Sequence, residues 1–319
     1  MKLICGVDLG GTKLSAALFD QKGILIGKEI THDHVNETTD GIVRVIAELI
    51  KTLLKNNSVL LTDILGIGVG LAGHILYKKG IIITTSNFKV TFTNYPFVEK
   101  MSSYFPGVKI LLDNDANVQA LGEYMYGAGK GFESIVFITV STGVGSGIVL
   151  NGKLLRGKNG TAGEIGHSII EYKSKYLCTC GNYGCAMAHS SGLFLPELYK
   201  HKLESGMTSS IGLNLDNISS FDGHFLKKGV NEGDRISISI MNESADIIGA
   251  SVFNIHKMLD PDAVIIGGGL MHLGDKYMSR IKTEFKFLMH DMMEDEMVIK
   301  HSEIGADAGL LGAASLLLE

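Results

Sequence analysis

Two glycine-rich turns in the sequence have the residue types that bind phosphate. Residues 10–13 read Gly-Gly-Thr-Lys just after Asp8, and residues 141–147 read Ser-Thr-Gly-Val-Gly-Ser-Gly. Glycine lacks a Cβ, so the main-chain N–H groups of such turns can approach phosphate oxygens closely. Thr12 would add a hydroxyl and Lys13 a charge, and Asp8 could hold a Mg²⁺ ion through water. The plainer alternative is an ordinary hairpin whose turn is capped by Asp8.

The arrangement of the glycines along the chain strengthens the phosphate interpretation. The two turns occur at equivalent places in the two halves of the sequence, so together they could grip a polyphosphate from both sides. A third glycine run at residues 267–269 directly follows an apolar stretch. It could form a flat wall for an adenine ring, or it could be a plain turn between a strand and a helix.

The dipeptide Asn114-Asp115 follows an apolar stretch and precedes a helical pattern. Open α/β sheets bind ligands at such strand ends. A carboxylate there can take a proton from a sugar hydroxyl, while the asparagine holds a neighbouring hydroxyl and fixes its orientation. Asp115 could also be the N-cap of the helix, which is a common use of an aspartate in front of a helix.

Three cysteines and one histidine are spaced as zinc ligands. His167 is followed by Cys178, Cys180 and Cys185. Three thiolates and one imidazole match a closed, tetrahedral structural zinc site, because four protein ligands leave no open position for catalysis. The ion would clamp the loop that carries Glu164, which shares a face with His167 if this stretch forms one helical turn. The alternative is three unrelated buried thiols.

Four further histidines lack a ligand pattern: His32, His34, His74 and His189. Because a lone histidine seldom ligates a metal, we interpret them as surface or polar-site residues.

Apolar periodicity places these residues on alternating strands and helices. In the first half, strands are predicted at residues 3–8, 14–19, 64–71 and 108–112, and helices at residues 42–54 and 116–126. In the second half, strands are predicted at residues 134–140, 148–150 and 263–266, and helices at residues 244–259 and 305–318. The first glycine turn joins two strands, unlike the strand–turn–helix of a Rossmann unit. We therefore predict an α/β fold whose two halves face each other across a cleft.

The composition is that of a globular protein long enough for two domains. Of the 319 residues, 45 % are hydrophobic and 20 % are charged, which excludes a disordered chain. The formal net charge of −5 gives no attraction to nucleic-acid phosphates. The sequence shows neither a signal-peptide pattern nor an apolar run long enough for a membrane span. We expect a cytoplasmic protein whose clustered cysteines bind a metal and do not form disulfides.

Taken together, these motifs resemble those of the ROK family (repressor, open reading frame, kinase), in the same order and over almost the whole chain. The matching segments are Gly6-Val-Asp-Leu-Gly-Gly-Thr-Lys13, Asp113-Asn-Asp-Ala-Asn117, Ser141-Thr-Gly-Val-Gly-Ser-Gly147, Gly163-Glu-Ile-Gly-His167, Cys178-Thr-Cys-Gly-Asn-Tyr-Gly-Cys185 and Gly267-Gly-Gly269. The resemblance implies an actin-like ATPase fold of the ribonuclease H-like type. It implies a smaller domain of residues 1–115 plus 304–319, and a larger domain of residues 116–303 that carries the zinc loop.

The resemblance also implies ATP-dependent phosphorylation of a hexose, usually at the 6-hydroxyl. By motif position, Asp115 is the general base, Asn114, Glu164 and His167 contact the sugar, and Gly73 lies in a loop that approaches it. The implied zinc ligands are His167, Cys178, Cys180 and Cys185. The residues expected to bind ATP with Mg²⁺ are Asp8, Gly10, Gly11, Thr12, Lys13, Thr142, Gly143, Gly268 and Gly269. A homodimer is expected, and neither a nucleic acid nor a membrane is an expected partner.

One position departs from the family pattern. The family usually has Gly-Cys-Leu-Glu, in which the glutamate binds the sugar, whereas this chain has Gly184-Cys-Ala-Met187. The change removes an acceptor for one or two sugar hydroxyls, and it could accommodate a substituent or an aglycone. Glucose, N-acylmannosamine, N-acetylglucosamine, fructose and β-glucosides therefore all remain candidate substrates.

Two functions of other classes compete with a sugar kinase. A sugar-sensing repressor of the same family would need a DNA-binding module, typically an N-terminal winged helix, and we expect no room for one before Asp8. An actin-like ATPase that acts on protein partners would share the glycine turns, but it has no need of the loop with Glu164, His167 and the cysteines. Sugar-dependent release of ADP would discriminate among the three.

Overall fold

The structure is a computed structural model that describes residues 2–86, 88–290 and 297–319. Two compact units are present. Unit 1 consists of Met1–Phe137, Gly147–Gly163 and Ser302–Glu319, and unit 2 consists of Ile138–Ser146 and Glu164–His301. The division into domains of residues 1–115 plus 304–319 and residues 116–303 stays a prediction.

Strands and helices alternate along the described chain, so the predicted α/β class is confirmed. The strands are β1 (Leu3–Leu9), β2 (Leu14–Phe19), β3 (Leu25–Thr31), β4 (Ile64–Leu71), β5 (Gly73–Leu76), β6 (Ile81–Thr85), β7 (Thr93–Tyr95), β8 (Lys109–Asn114), β9 (Ile135–Val140), β10 (Val144–Leu150), β11 (Lys153–Leu154), β12 (Ala263–Gly267) and β13 (Val298–His301). The helices are α1 (Thr39–Asn56), α2 (Phe97–Ser102), α3 (Asp115–Tyr126), α4 (Ala186–Ser190), α5 (Leu195–Glu204), α6 (Gly223–Glu232), α7 (Arg235–Leu259), α8 (Asp275–Met289) and α9 (Ala308–Ser315). None of the helices in the described ranges is both long and apolar enough to span a membrane.

The main sheet of unit 1 has the strand order β3-β2-β1-β4-β8. β1 and β2 form the predicted antiparallel hairpin, while β1, β4 and β8 run parallel. The edge strand β3 was not predicted, since its apolar residues Leu25, Ile26 and Ile30 are exposed and do not alternate with polar ones. A smaller antiparallel sheet, β5-β6-β7, follows the end of β4.

Helix α9 packs directly on the backbone of this sheet. A Cβ on Gly6 would overlap the carbonyl oxygen of Leu310, and a Cβ on Gly68 would overlap that of Ala313. Gly6 and Gly68 are paired with each other across β1 and β4. The α-helix is shorter than the predicted residues 305–318, because Gly305–Asp307 form a 3₁₀ turn before it.

Helix α1 covers the predicted residues 42–54 and extends beyond them at both ends. It begins after Thr38, whose side chain accepts the N–H of Gly41 at 3.1 Å, as expected for an N-cap. Its apolar residues, such as Ile46 and Ile50, are fully buried against the unit 1 sheet. The apolar face therefore fixes α1 on this sheet.

Helix α7 is the central helix of unit 2, and α4, α5, α6 and α8 pack against it. The predicted helix at residues 244–259 is only its second part. The first turns were missed because Ser237, Ser239 and Asn242 interrupt the apolar pattern. The helix begins after Asp234, whose carboxylate accepts the N–H of Ser237 at 2.8 Å.

The second five-stranded sheet has the order β11-β10-β9-β12-β13. β10 begins at Val144, so the predicted turn of residues 141–147 is shorter than expected and ends at Gly143. Gly147 lies within the strand for a different reason, because a Cβ there would overlap the carbonyl oxygen of Ala116 in α3. This glycine therefore permits a close approach of backbones and is not part of a phosphate turn.

Candidate active site

The turn between β1 and β2 in unit 1 is a tight loop of the four predicted phosphate-binding residues. Leu9 pairs with Leu14, and the N–H of Gly10 donates to the carbonyl of Lys13 at 2.9 Å. Gly10 and Gly11 are partly exposed, and Thr12 and Lys13 are exposed at the tip. The hydroxyl and the ammonium group can therefore reach a ligand beside the turn.

Two histidines that follow β3 hold the carbonyl groups of this turn. Nε2 of His34 donates to the carbonyl of Gly10 at 2.8 Å, and Nδ1 of His32 donates to the carbonyl of Thr12 at 2.6 Å. His34 is only 1 % exposed. These imidazoles fix the conformation of the turn, a role that the sequence analysis did not assign. The signal that could have found them is their spacing of two residues just after a strand that pairs with the hairpin.

Asp8 lies near the end of β1, and its carboxylate faces α9. A Cβ on Gly309 would lie 3.1 Å from the Asp8 carboxylate. Burial raises the pKa of Asp8, the charges of Lys13 and Lys28 lower it, and the charge of Asp307 raises it again. A divalent cation nearby would favour the ionised form, so this carboxylate fits a group that holds Mg²⁺ through water.

Asn114, the last residue of β8, caps helix α3 and contacts the loop after β4. Its Oδ1 accepts the N–H of Ala116 at 2.9 Å, and its Nδ2 donates to the carbonyl of Gly73 at 3.0 Å. The N-cap of α3 is therefore Asn114, and the alternative interpretation of Asp115 as the cap is wrong. The structure thus brings Gly73, Asn114 and Asp115 together within unit 1.

Asp115 is the first residue of α3. Its Oδ1 accepts the N–H of Ala116 at 3.0 Å. The N-terminus of a helix carries a partial positive charge that favours an ionised carboxylate. The ionised carboxylate is also the form that can accept a proton.

In unit 2, residues 141–143 form a tight turn at the end of β9. The N–H of Ser141 donates to the carbonyl of Gly143 at 2.8 Å. The segment after α4 holds this turn from the other side, because the N–H groups of Gly192 and Leu193 donate to the carbonyls of Ser141 and Thr142 at 2.7 and 3.0 Å. The turn that carries Thr142 and Gly143 is thus rigidly held.

Gly268 and Gly269 lie beside this turn. Gly268 has a φ of 95°, and a Cβ on it would overlap the backbone of Val140. A Cβ on Gly269 would lie 3.4 Å from Oγ of Ser141. Both the positive φ and the close approach require glycine at position 268. The structure thus brings the second and third glycine segments together within unit 2.

The four predicted metal ligands converge in unit 2. Their donor atoms all lie within 4.8 Å of one another. Sγ of Cys180 is 3.6 Å from Sγ of Cys185, and Sγ of Cys178 is 3.5 Å from Nδ1 of His167. Ligands of a tetrahedral zinc ion at the usual bond lengths are about 3.5–3.8 Å apart. The cluster fits a structural zinc ion, and the alternative of three unrelated thiols is wrong.

Hydrogen bonds between main-chain groups fix the shape of the loop around the cluster. The N–H of Cys178 donates to the carbonyl of Asn182 at 2.8 Å, and the N–H of Gly181 donates to the carbonyl of Cys178 at 2.9 Å. Burial, and to a smaller extent the hydrogen bond with Cys180, raise the pKa of Cys185 to about 12. A metal ion would therefore be needed to favour the thiolate at Cys185 at neutral pH.

Glu164 is exposed and directly precedes a 3₁₀ turn, Ile165–His167. The N–H of His167 donates to the carbonyl of Glu164 at 3.0 Å. The predicted single turn is therefore present, in the tighter 3₁₀ form. If His167 holds a metal ion, it fixes the end of this turn and thereby the backbone that carries Glu164.

Met187 lies in α4, two residues after the candidate metal ligand Cys185. Its Cε and Sδ lie 3.8 and 3.9 Å from the position that a Cβ on Gly143 would take. The residue at which the sequence departs from the family pattern therefore lies beside the glycine turn of unit 2.

His189 joins the metal-binding loop to α7. Its Nδ1 is 3.2 Å from Oε1 of Glu243, and its Nε2 is 2.9 Å from Oγ of Ser174. Glu243 also accepts a hydrogen bond from Nζ of Lys202 at 2.8 Å. Burial raises the pKa of Glu243. The hydrogen bonds with His189 and Lys202 lower the pKa by more than burial raises it, so the net shift is downward. The sequence analysis did not identify this second attachment of the loop.

The candidate residues fall into one set in each unit. Unit 1 contains Asp8, Gly10, Gly11, Thr12, Lys13, Gly73, Asn114 and Asp115. Unit 2 contains Thr142, Gly143, Glu164, His167, Cys178, Cys180, Cys185, Gly268 and Gly269.

Comparison with known proteins gives matches over the whole chain. The family model described as "ROK family" matches residues 4–319. The glucokinase of Thermotoga maritima is 32 % identical, with 100 % of this chain and 98 % of the relative covered. The N-acetylmannosamine kinase of Salmonella heidelberg is 29 % identical, with 97 % and 96 % covered. The xylose repressor of Caldicellulosiruptor bescii is 28 % identical over 88 % of this chain and 69 % of the repressor.

Solved structures show the same similarity. A ROK family glucokinase from Streptomyces griseus, in complex with glucose and AMPPNP, aligns with a TM-score of 0.80 at 29 % sequence identity. The alignment covers 98 % of each chain. The chain is therefore similar in both sequence and fold to proteins that bind a sugar and an ATP analogue.

Proposed function

The chain belongs to the ROK family, and from this premise we infer that it is a sugar kinase that phosphorylates a hexose or an N-acylhexosamine with ATP. Relatives named glucokinase and N-acetylmannosamine kinase match along nearly its whole length. The related Streptomyces griseus glucokinase is known with glucose and AMPPNP bound. The fold is the actin-like ATPase fold of these kinases.

We assign the general base to Asp115 and the transfer to the 6-hydroxyl of the sugar. The observation that supports this assignment is the capping of α3. Asn114 caps the helix with its Oδ1, and its Nδ2 donates to the carbonyl of Gly73. Asp115 follows as the first residue of the helix, so its carboxylate lies at the helix N-terminus. An ionised carboxylate beside a fixed amide can accept the proton of one hydroxyl while the amide binds a neighbouring one. Gly73, Glu164 and His167 are proposed to complete the sugar site.

Phosphoryl transfer requires mainly positioning and charge neutralisation. We propose that the turn of Gly10, Gly11, Thr12 and Lys13 and the turn of Thr142 and Gly143 bind the phosphates of ATP. Gly268 and Gly269 would line the adenine. Mg²⁺, when bound, neutralises phosphate charge, and Asp8 would hold it through water.

Zinc would act here as a structural ion and not as a Lewis acid for the reaction. All four donors come from the protein, so the ion has no open position for a substrate. Its proposed task is to fix the backbone of His167 and, through the 3₁₀ turn, that of Glu164.

Met187 bears on the choice of sugar. A thioether offers only a weak acceptor to a sugar hydroxyl, in place of the strong acceptor that a carboxylate would supply. Glucose and N-acetylmannosamine are the first candidates, in line with the named relatives. A β-glucoside is the alternative that Met187 favours, because an apolar side chain can contact an aglycone. A non-catalytic sugar sensor, like the related repressors, is the alternative of a different class.

A coupled ADP-release assay over a panel of hexoses, N-acylhexosamines and β-glucosides tests this assignment. We expect ADP release that depends on one class of sugar, with a product phosphorylated at O6 by ³¹P and ¹³C NMR. ADP release without any sugar would indicate an ATPase that acts on other partners. Sugar binding without ADP release would indicate a sensor.

A further inference from the structure

Arg156 lies in unit 1, two residues after β11, and all three of its guanidinium nitrogens are engaged. Nη1 and Nη2 donate to the two carboxylate oxygens of Glu319, at 2.8 and 2.5 Å. Nε donates to Oδ2 of Asp113 at 2.5 Å. The guanidinium carbon lies 4.5 Å from the centre of the Tyr77 ring. Only 10 % of the side chain is exposed, so this group is locked on every side.

Asp113 transmits this contact to the proposed catalytic dipeptide. Its Oδ1 accepts the N–H of Asn114 at 2.8 Å and Nδ2 of Asn117 at 2.9 Å. The Asp113 side chain is 4 % exposed. One carboxylate therefore joins Arg156 to the residue that caps α3 and to the first turn of that helix.

The same arginine also borders the end of β5, the strand whose first residue Asn114 contacts. Tyr77 follows β5, and β5 begins with Gly73, whose carbonyl accepts the Asn114 amide. Three residues after Arg156, the carbonyl of Asn159 accepts a hydrogen bond from Nε2 of His74 at 2.7 Å. Residues 156–159 therefore contact Asp113 and His74, the direct chain neighbours of the two partners of the Asn114–Gly73 hydrogen bond.

We propose that Arg156 is a positioning residue for phosphoryl transfer, which acts through Asp113 to orient the Asn114 amide and the Asp115 carboxylate. This inference rests on the proposed function. Burial lowers the pKa of Arg156, but the hydrogen bonds with Glu319 and the charge of Asp113 raise it more, so the guanidinium stays charged. Without it, Asp113 would be a buried carboxylate that has lost its cation, and its side chain would have to move. That movement would disturb the acceptor of the Asn114 N–H.

Lysine cannot replace this arginine. A planar guanidinium can bind Glu319 with two nitrogens and Asp113 with the third, whereas an ammonium group is a single point of charge. Arg156→Lys should therefore keep the charge balance of the buried pair but lose part of the alignment. This difference separates a role in positioning from a role in stability alone.

The kinetic test compares Arg156→Met and Arg156→Lys with Arg44→Met, an exposed arginine of unit 1 that pairs with Glu37 and Glu48. We expect Arg156→Met to lower kcat/KM for the sugar by about 10²-fold, the cost of a small misplacement of reacting groups. Arg156→Lys should lower it by about tenfold, the value of one hydrogen bond to a charged group. KM for ATP should stay within about twofold in both, and Arg44→Met should behave as the wild type. Wild-type kcat/KM for the sugar in either Arg156 variant would overturn the proposal, as would a rise in KM for ATP as large as the loss in kcat/KM for the sugar.

A second measurement does not depend on turnover. Hydrogen exchange at the amides of residues 113–118, without substrates, should be faster in Arg156→Lys than in the wild type and in Arg44→Met. Exchange at unit 2 amides, such as those of α7, should be unchanged. Unchanged exchange at residues 113–118 would overturn the positioning role. A wild type that phosphorylates no sugar would refute the proposed function but leave this readout intact.

Discussion

Met187 lies against Gly143, with its Cε 3.8 Å from the position that a Cβ on Gly143 would take. The side chain that stands where the family usually has a glutamate thus lies beside a turn proposed to bind phosphate. Its substitution should therefore change sugar preference without disturbing the metal-binding loop, because Met187 is not one of the four converging ligands.

Met187→Glu should raise kcat/KM for glucose and lower it for a β-glucoside, with a combined change in the ratio of about tenfold or more. The reason is that a carboxylate accepts sugar hydroxyls, and one hydrogen bond to a charged group contributes about 1.5–3 kcal/mol. The coupled assay with both sugars measures the ratio. Met258→Glu, on the exposed side of α7, is the control and should leave the ratio as it is. An unchanged ratio in Met187→Glu would show that position 187 does not contact the sugar.

Asp115→Asn should lower kcat by about 10²–10⁴-fold, the usual contribution of a positioned general base. KM for ATP should change little, since Asp115 is not among the residues assigned to ATP. Steady-state kinetics with the best sugar measure both values. Asp222→Asn is the matched control, because Asp222 caps α6 and asparagine is an equally good cap. Near-normal turnover in Asp115→Asn would refute the role of this carboxylate.

Removal of zinc should open the loop from His167 to Cys185. Structural zinc contributes on the order of 10 kcal/mol in small sites, so chelation should lower the melting temperature and expose this loop to proteases. Metal analysis should find about one zinc ion per chain in the wild type and in Cys5→Ala, since Cys5 is buried in β1. It should find little in Cys180→Ser. Zinc-free protein with an intact loop would contradict the assignment.

Asp8→Asn should make the protein more stable at neutral pH and less active. The pKa of Asp8 is raised by burial, so its ionised form destabilises the folded state. This penalty is absent below the ordinary pKa of 3.8, grows between 3.8 and the raised pKa, and is constant above the raised pKa. The melting temperatures of Asp8→Asn and the wild type should thus coincide in acid and diverge as the pH rises.

The exposed Asp216→Asn is the control for this series and should show no such divergence. In parallel, Asp8→Asn should lower kcat/KM for ATP. A variant that is less stable than the wild type at neutral pH would contradict the stated effect of burial.

The sequence was most informative where a pattern is local. The β1–β2 hairpin, the strand end at Asn114 and the cluster of His167 with the three cysteines each lie within a short stretch of sequence. Their spacing therefore predicts their geometry. The contacts of Arg156, Asp113 and Glu319 could not be predicted in this way, since they join residues as far as 163 positions apart. His189 and Glu243, 54 positions apart, were missed for the same reason.

Local patterns also misled in two places. The glycines of residues 141–147 were all assigned to one turn, but Gly147 is needed for the approach of α3 and lies within β10. Asp115 has the residue type of a cap, but Asn114 takes that position because its side chain can both accept from Ala116 and donate to Gly73. In both cases the decisive neighbour comes from another element, which residue type and spacing do not show.

Helix α9 can pack closely on the sheet because glycines occupy the contact positions. Gly6 and Gly68 let the helix lie on the sheet, and Gly309 on the same helix faces the carboxylate of Asp8, two residues along the strand from Gly6. A single added methyl group at Gly6 would therefore push the helix outward and shift the wall beside that carboxylate. A saturation scan should show that Gly6, Gly68 and Gly309 tolerate no larger side chain, from the interior of the sheet to the proposed nucleotide site.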